Sequence, residues 1–278
     1  MSAKNKRRLT DLALYTVLIA ITIFMVLPFA WMLSTSFKLA EDIFGYPPKF
    51  IPDHPVLDNY LYVIVTKGVL VNLKNTAVIA TLSTALTLFF TTLGGYGFAK
   101  YDFPGKNVLF GLLLATLVIP GAVMMVPSFI IMRNLGWIDT ILPLVIPGAA
   151  SAFGIFFFRQ YISRVSDELL DAARIDGAGE FRIYWNVVVP IIAPGMTSLG
   201  LIFFMTSWNA YQGPLIYLKS PQNWVMTQAI ASMQGSAGFT AWGEYMAMSV
   251  ISLIPLFIIF LVFQRRIVEG IMAGAVKG

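Results

Sequence analysis

The chain has 278 residues, 58% of them hydrophobic and only 12% charged, with a formal net charge of +5 and a mean hydropathy of +0.76. Soluble domains carry roughly 25% charged residues, so this composition excludes an ordinary globular domain and points to an integral membrane protein. Cysteine is absent, which removes a disulfide framework, a thiolate metal site and a cysteine nucleophile.

The first apolar run, residues 12–33, follows Lys4, Lys6, Arg7 and Arg8. At 22 residues it exceeds a signal-peptide core of about 7–15, and no small-residue cleavage site follows, so it reads as a retained first helix. Residues 34–74 form a loop rich in aromatics and proline that holds the single histidine, His54. The second run, 75–99, places Thr84, Thr87 and Thr91 on one helical face, with Thr76 two turns earlier. The third, 108–132, contains Pro120-Gly121, and the fourth, 141–158, contains Pro143, Pro147 and a small-residue patch from Gly148 to Gly154. The fifth, 186–207, carries Pro190, Pro194, Thr197, Ser198, Thr206 and Ser207. The sixth, 246–263, carries Ser249, Ser252 and Pro255.

Each run is long enough to approach the roughly 20 residues a spanning helix needs, and none contains Asp, Glu, Lys, Arg or His. The expected fold is therefore all-α and membrane-integral, with six transmembrane helices in one domain over 1–278. With the N-terminus inside, the inner segments (1–11, 100–107, 159–185, 264–278) hold 13 Lys and Arg against 6 in the outer ones. Positive-inside bias then places both termini in the cytoplasm, and the net positive charge records topology rather than nucleic-acid binding.

The spans lack the ionisable groups a proton-driven carrier uses, although a sodium site built from backbone carbonyls stays open. The chain has no G-x-x-x-x-G-K-[ST] phosphate loop and no His/Asp/Glu group at metal-ligand spacing, so no catalytic residue, metal or cofactor is expected. The hydroxyls in the spans have two readings: bonds to neighbouring helices, or the lining of a path for an uncharged solute.

Between the fourth and fifth runs lies a polar segment, 159–185, containing the start of DAARIDGAGEFRIYWNVVVP (171–190). Ser166 suits an N-cap, Asp167 and Glu168 fit a first helical turn, and Ala172-Ala173 favour helix. Gly177 permits a turn with positive φ, after which a second helix starts near Glu180. The expected product is a helix–turn–helix knuckle with an apolar edge at Leu169, Leu170 and Ala173, shaped to dock in a partner's groove. An ordinary interfacial loop is the alternative.

This segment resembles the "EAA" loop of membrane subunits of binding-protein-dependent ABC importers, E-A-A, three residues, G, nine residues, I-x-L-P. Here it is Asp171-Ala172-Ala173, three residues, Gly177, nine residues, then Val187-Val188-Val189-Pro190, with Asp in place of the first Glu. The chain also resembles the shorter six-span subunit of the maltose-type sugar permeases. That likeness is carried by Pro52, Pro55, Leu57, Asn59 and Tyr60, by Asn75-Thr76, by Gly95 to Ala99, by Trp208-Asn209 and by the terminal Gly274 to Gly278.

The resemblance implies a type I ABC importer permease in a bacterial or archaeal plasma membrane. It implies a heterodimer with a second permease, two ATPase subunits that bind ATP and Mg, an extracytoplasmic solute-binding protein and a sugar substrate. It assigns ATPase coupling to Asp171, Ala172, Ala173, Arg174, Asp176, Gly177, Ala178, Glu180 and Pro190, with a further contact at Gly274, Val276, Lys277 and Gly278. The expected solute pathway includes Trp208, Asn209, Tyr211 and Gln212, with Thr84 and Thr87. Competing readings are a permease for a polyol, glycerol-phosphate or amino acid, and an ion-coupled carrier or channel.

Overall fold

The computed structural model describes residues 3–234 and 241–275, with side chains described for 11–234 and 241–264. Among the described residues all regular structure is helical and no strand occurs. The main helices are α1 (Ala3–Thr35), α2 (Val69–Lys100), α3 (Lys106–Ala115), α4 (Gly121–Asn134), α5 (Ala152–Ile162), α6 (Asp167–Ile175), α7 (Glu180–Ile183), α8 (Val189–Trp208) and α9 (Trp242–Ala275).

Five segments are long and apolar enough to cross a bilayer: Asp11–Thr35, Val69–Lys100, Leu142–Ile162, Glu180–Trp208 and Trp242–Gln264. The expected third span is different. Instead of one helix over 108–132, Lys106–Val118 and Gly121–Asn134 meet at a 103° bend, so a sixth span exists only if this pair is counted as one. Pro120 is the physical cause. The ring disfavours helical backbone at the residue before it, and Ile119 is extended at φ −76°, ψ 117°, which ends the first helix outright.

The fifth span shows a milder response to proline. Pro190 has no N–H to donate, and the ladder ahead of it widens into a π turn at Tyr184–Val188 before α8 resumes. The helix bends around the missing donor and continues.

The chain divides into two compact units, Met1–Leu70 with Ile230–Pro255, and Val71–Ala229 with Leu256–Gly278. In the first, α1 presents an uncharged, unburied stretch, with Phe24 and Met25 exposed and the hydroxyls of Thr16 and Thr22 bonded back to their own helix, as a lipid-facing helix must. The loop after it is stapled by Asn59, whose Nδ2 donates to the carbonyls of Ser36 at 3.0 Å and Lys38 at 2.9 Å. Tyr60 Oη lies 2.7 Å from Ser36 Oγ. Lys38 is buried, donates to the Lys49 carbonyl at 2.7 Å, and stands 4.2 Å from the centre of the Trp31 ring. A side chain at Gly243 would strike Asn59, since its Cβ would fall 2.6 Å from Nδ2.

The second unit has a continuous core in which Tyr96 of α2, Phe158 and Ile162 of α5, Leu170 of α6, and Ile183, Tyr184 and Ile192 pack together. Each such buried aliphatic or aromatic side chain contributes about 1.5–3 kcal/mol of transfer free energy where water is the alternative environment. Glycine sets the closest approach. A Cβ on Gly95 would lie 2.7 Å from Phe158 Cβ and 2.9 Å from the Arg159 amide nitrogen, so α2 and α5 touch backbone to backbone only without it.

Candidate functional site

The polar segment folds as the knuckle that its residue types demand. Ser166 caps α6, its Oγ accepting from the Glu168 amide at 3.2 Å, and Asp167 and Glu168 occupy the favourable first turn. At the other end Gly177 takes φ +78° with open space where a Cβ would stand. The Ala178 amide donates to the Ala173 carbonyl and the Gly177 amide to that of Arg174, both at 3.0 Å. This pair of bonds is a Schellman stop, in which the left-handed residue is glycine because a Cβ is penalised there. Gly179 then precedes α7, which begins at Glu180.

The apolar edge differs from expectation. Leu170 is 1% exposed and Ala173 packs against the core, so only Leu169 of the expected trio faces outward. Its place is taken by Ile175, 87% exposed, with Phe181 and Trp185, whose rings stack at 6.5 Å and an interplanar angle of 7°. Leu170 and Ala173 anchor the knuckle, whereas Ile175 and Phe181 form its exposed crest.

The charged residues also divide. Arg174 donates to Asp171 Oδ1 at 2.7 Å and to Glu180 through Nε at 2.8 Å and Nη2 at 3.4 Å. The two carboxylates push the Arg174 guanidinium further above its already high range, with Glu180 the larger influence. Lys100 at the end of α2 reaches Asp167 Oδ1 at 2.6 Å and the Val165 carbonyl at 2.5 Å, which holds the Asp167 carboxyl below its ordinary value. Asp171, Ala172, Asp176 and Gly177 are exposed, Ala178 is half-buried, and Pro190 lies exposed in the first turn of α8. Arg174 and Glu180, both expected at the partner contact, also bond to each other within the chain, and both remain exposed. Gly274 lies in α9, while Val276, Lys277 and Gly278 lie outside the described residues.

The second unit also holds a cleft of about 360 Å³. Its polar side chains are all hydroxyls: Thr76, Ser83, Thr84 and Thr87 from α2, Ser151 before α5, and Thr206 and Ser207 from α8. Most of these hydroxyls are already bonded. Thr87 donates to the Gly148 carbonyl at 3.2 Å, Ser83 to the Leu144 carbonyl at 3.2 Å, and Thr206 to its own helix at Ile202. Thr76 donates to Asn72 and accepts from the Met226 amide, both at 2.8 Å. Thr84 Oγ1 is buried and has no partner among the described residues. It also borders a second, more apolar groove of about 470 Å³ with Leu88, Gly200 and Phe204.

Of the six residues expected along a solute path, the structure places Thr84 and Thr87 on the cleft wall and the other four elsewhere. Trp208 is 2% exposed and stacks on Phe204 at 5.5 Å, and its buried Nε1 has no partner among the described residues. Asn209 turns back to bond the Met205 carbonyl at 2.9 Å as a helix end, and Tyr211 and Gln212 lie on the exposed turn that follows. Thr206 and Ser207, among the span hydroxyls for which a path lining was one of two readings, stand on the same wall; the residue missed is Asp139. Asp139 accepts from the amides of Lys219 at 2.8 Å and Ser220 at 3.0 Å and from the Ser220 hydroxyl at 2.5 Å. These donors, the Ser220 hydroxyl first, hold its carboxyl well below the ordinary value. With Asn72 donating to Trp224 at 3.0 Å and Asn75 to Gln222 at 2.8 Å, Asp139 fixes the turn that leads into the wall at Val225.

An all-helical chain with lipid-grade spans, a polar knuckle rooted in the core and a hydroxyl-lined cleft is a multi-pass membrane permease. More particularly, the chain belongs to the family described as binding-protein-dependent transport system inner membrane component, whose pattern matches residues 91–272. It is therefore an inner-membrane component of a transport system. Relatives include the arabinooligosaccharides transport system permease protein AraQ of Halalkalibacterium halodurans, 31% identical over 91% of each chain. The lactose transport system permease protein LacG of Rhizobium radiobacter is 32% identical over the full length of both. The fold matches a chain of a bacterial ABC transporter involved in import of the acidic polysaccharide alginate, with a TM-score of 0.80 at 22% identity over 95% of this chain and 98% of that one.

Proposed function

We propose that this chain is one transmembrane subunit of an ATP-driven importer for a neutral sugar or oligosaccharide, and that the knuckle formed by α6 and α7 is where ATP hydrolysis acts on it. The observation that carries the reading is the knuckle's construction. Its crest, Ile175 and Phe181, is apolar and exposed, and its root, Leu170 and Ile183, is buried in the core. A feature exposed at one end and rigidly rooted at the other transmits displacement, and ligand-driven domain closure is the kind of motion that supplies it. The partners are a second permease, two ATPases that hold ATP and Mg, and an extracytoplasmic binding protein. Both termini lie in the cytoplasm on this reading, as the 13-to-6 distribution of Lys and Arg favours.

A neutral solute is favoured by the cleft, which has no ionisable group in its lining. Arabino-oligosaccharides and lactose, named for two relatives, are of this class, and acidic alginate, named for the structural neighbour, is not. The test is Gly177→Asp in the reconstituted importer. A side chain at φ +78° strains the Schellman stop, so uptake should fall to background while the chain still inserts in the membrane. Normal uptake at normal ATP consumption would overturn the reading.

A further inference from the structure

Glu180 joins the knuckle to α2. Its carboxylate accepts from the Tyr96 hydroxyl at 3.2 Å and from the Tyr101 hydroxyl, besides the two bonds from Arg174. Tyr96 is 3% exposed, and its ring lies 5.4 Å from that of Tyr101 and 5.7 Å from that of Tyr184. One turn earlier on α2, Thr92 Oγ1 and Tyr184 Oη are 2.7 Å apart in a buried pair. On the other side Lys100, whose side chain is 5% exposed, holds α6 through Asp167. The last turns of α2 therefore grip both helices of the knuckle, α7 through Glu180, with Tyr184 of the π turn that follows it, and α6 through Lys100.

The same helix carries the cleft. Thr76, Ser83, Thr84 and Thr87 of α2 line it, and Thr84 lies 12 residues from Tyr96, roughly 18 Å along the axis at 1.5 Å per residue. Among the four longest described helices, α1, α8 and α9 each contain an internal proline, at Pro28, Pro194 and Pro255, and α2 contains none. Sharp kinks arise mostly at proline. Gly95, where helices otherwise flex, is pressed against the backbone of α5.

We propose that Glu180 is a positioning residue that makes α2 the connecting rod of the importer: through Tyr96 and Tyr101 it passes displacement of the knuckle to α2, and so to the hydroxyl wall of the cleft. The inference rests on the knuckle being driven by the ATPases, and adds which span is driven and through which atoms. It also assigns Glu180 away from the ATPase surface. Burial of Tyr96 gives the discriminating handle, because a partner subunit has no access to it.

The chain has no cysteine, so Thr84→Cys introduces a unique thiol on the cleft wall. The test follows the rate at which a membrane-impermeant maleimide labels that thiol in the intact importer, with and without ATP plus vanadate. With the tether intact the nucleotide should change that rate about tenfold, the size of effect that losing one charge-assisted hydrogen bond has on an equilibrium. Adding Glu180→Ala, or Tyr96→Phe with Tyr101→Phe, should reduce the change to about twofold or less, while the ATPases still co-purify. Combining both sets should do no more than either, the signature of one shared linkage. Glu180→Gln keeps one acceptor oxygen and should fall between, which separates a lost tether from a lost fold. A labelling rate that ignores nucleotide in Thr84→Cys with the tether intact overturns the proposal, as does a full response when both tyrosines are replaced. Loss of ATPase co-purification in Glu180→Ala alone overturns it too, by placing Glu180 at the partner surface. Failure of the underlying reading looks different: Gly177→Asp would then leave uptake normal whatever the thiol reports.

Discussion

The knuckle and the cleft share α2 but are built on opposite terms. At the root of the knuckle the central polar groups are bonded several times over: Glu180 has three donor residues, and Lys100 holds both a carboxylate and a carbonyl. At the cleft a hydroxyl has one or two bonds, often to its own helix, and Thr84 Oγ1 has none among the described residues. A part that receives force gains from over-determination, because each extra bond removes a way of yielding. A wall that must meet a passing solute gains from donors and acceptors not already committed. The same helix thus grades from fixed to available along its length, and substitutions along it should show that gradient.

The largest effect belongs at the fixed end. Gly95→Val puts a branched side chain where Phe158 Cβ and the Arg159 amide stand under 3 Å from a bare Cβ. Neither the backbone nor a Cβ can swing aside, so we expect the protein to lose more than about 3 kcal/mol, the upper range for overpacking. Thermal unfolding in detergent should show a large drop in midpoint or failure to recover folded protein. Gly97→Val is the control, because nothing lies within 4 Å of the corresponding position. If both behave alike, close α2–α5 contact is not what fixes this end.

Next comes the buried hydroxyl pair. Thr92→Val leaves Tyr184 Oη without its partner, and Tyr184→Phe leaves Thr92 able to bond only its own helix, at the Leu88 carbonyl 2.6 Å away and the Phe89 carbonyl at 3.1 Å. An orphaned buried hydroxyl costs about 1–3 kcal/mol, so Thr92→Val should cost more than Tyr184→Phe. The double variant should cost less than the sum of the two, with a coupling of about 0.5–3 kcal/mol in a double-mutant cycle.

How far this gradient was legible in the chain depends on the range of the interaction. Ser166 and Gly177 act on atoms two to five residues away, and the spacing alone places the cap and the stop. The pairing of Glu180 with Tyr96 and Tyr101 joins positions 84 and 79 residues apart, and no local pattern marks it. Leu170 and Ile175 are both apolar residues of one short helix, and only the packing of α5 and α8 decides that one is root and the other crest. Pro120 and Pro190 show the same limit. Each removes a donor from an apolar run, yet one breaks its helix by 103° and the other is absorbed by a π turn. Trp208-Asn209 reads in the chain as an aromatic-polar pair suited to a sugar, and nothing in the local pattern shows that the ring is buried against Phe204.

A smaller effect is expected outside the spans, at Asp139. Its folded-state pKa lies below the ordinary value, so it binds its proton less readily in the native state than in the unfolded chain. Its contribution is fully present above about pH 4 and is lost as pH falls through the lowered native value. Stability measured downward from pH 5 should therefore fall more steeply in the parent than in Asp139→Asn, which has no carboxylate to protonate. Equal slopes would show that the bonds to Lys219 and Ser220 contribute nothing in solution.

The smallest effect on stability, and the most telling one on function, is expected at the available end. Thr84→Val replaces a buried, unpartnered hydroxyl with a methyl of the same shape, and removing such a group is neutral or slightly stabilising. Thr87→Val, one turn away, loses a bond to the Gly148 carbonyl, for which about 1 kcal/mol is the ordinary cost. Were both residues only packing elements, transport should follow stability and Thr87→Val should be the worse variant. If the cleft wall meets the solute, the order reverses. Thr84→Val should weaken uptake at limiting solute while leaving unfolding unchanged, because the hydroxyl that the fold leaves idle is the one free to bond a sugar. Measuring both quantities on both variants separates the readings, since packing cannot make the more stable protein the poorer transporter.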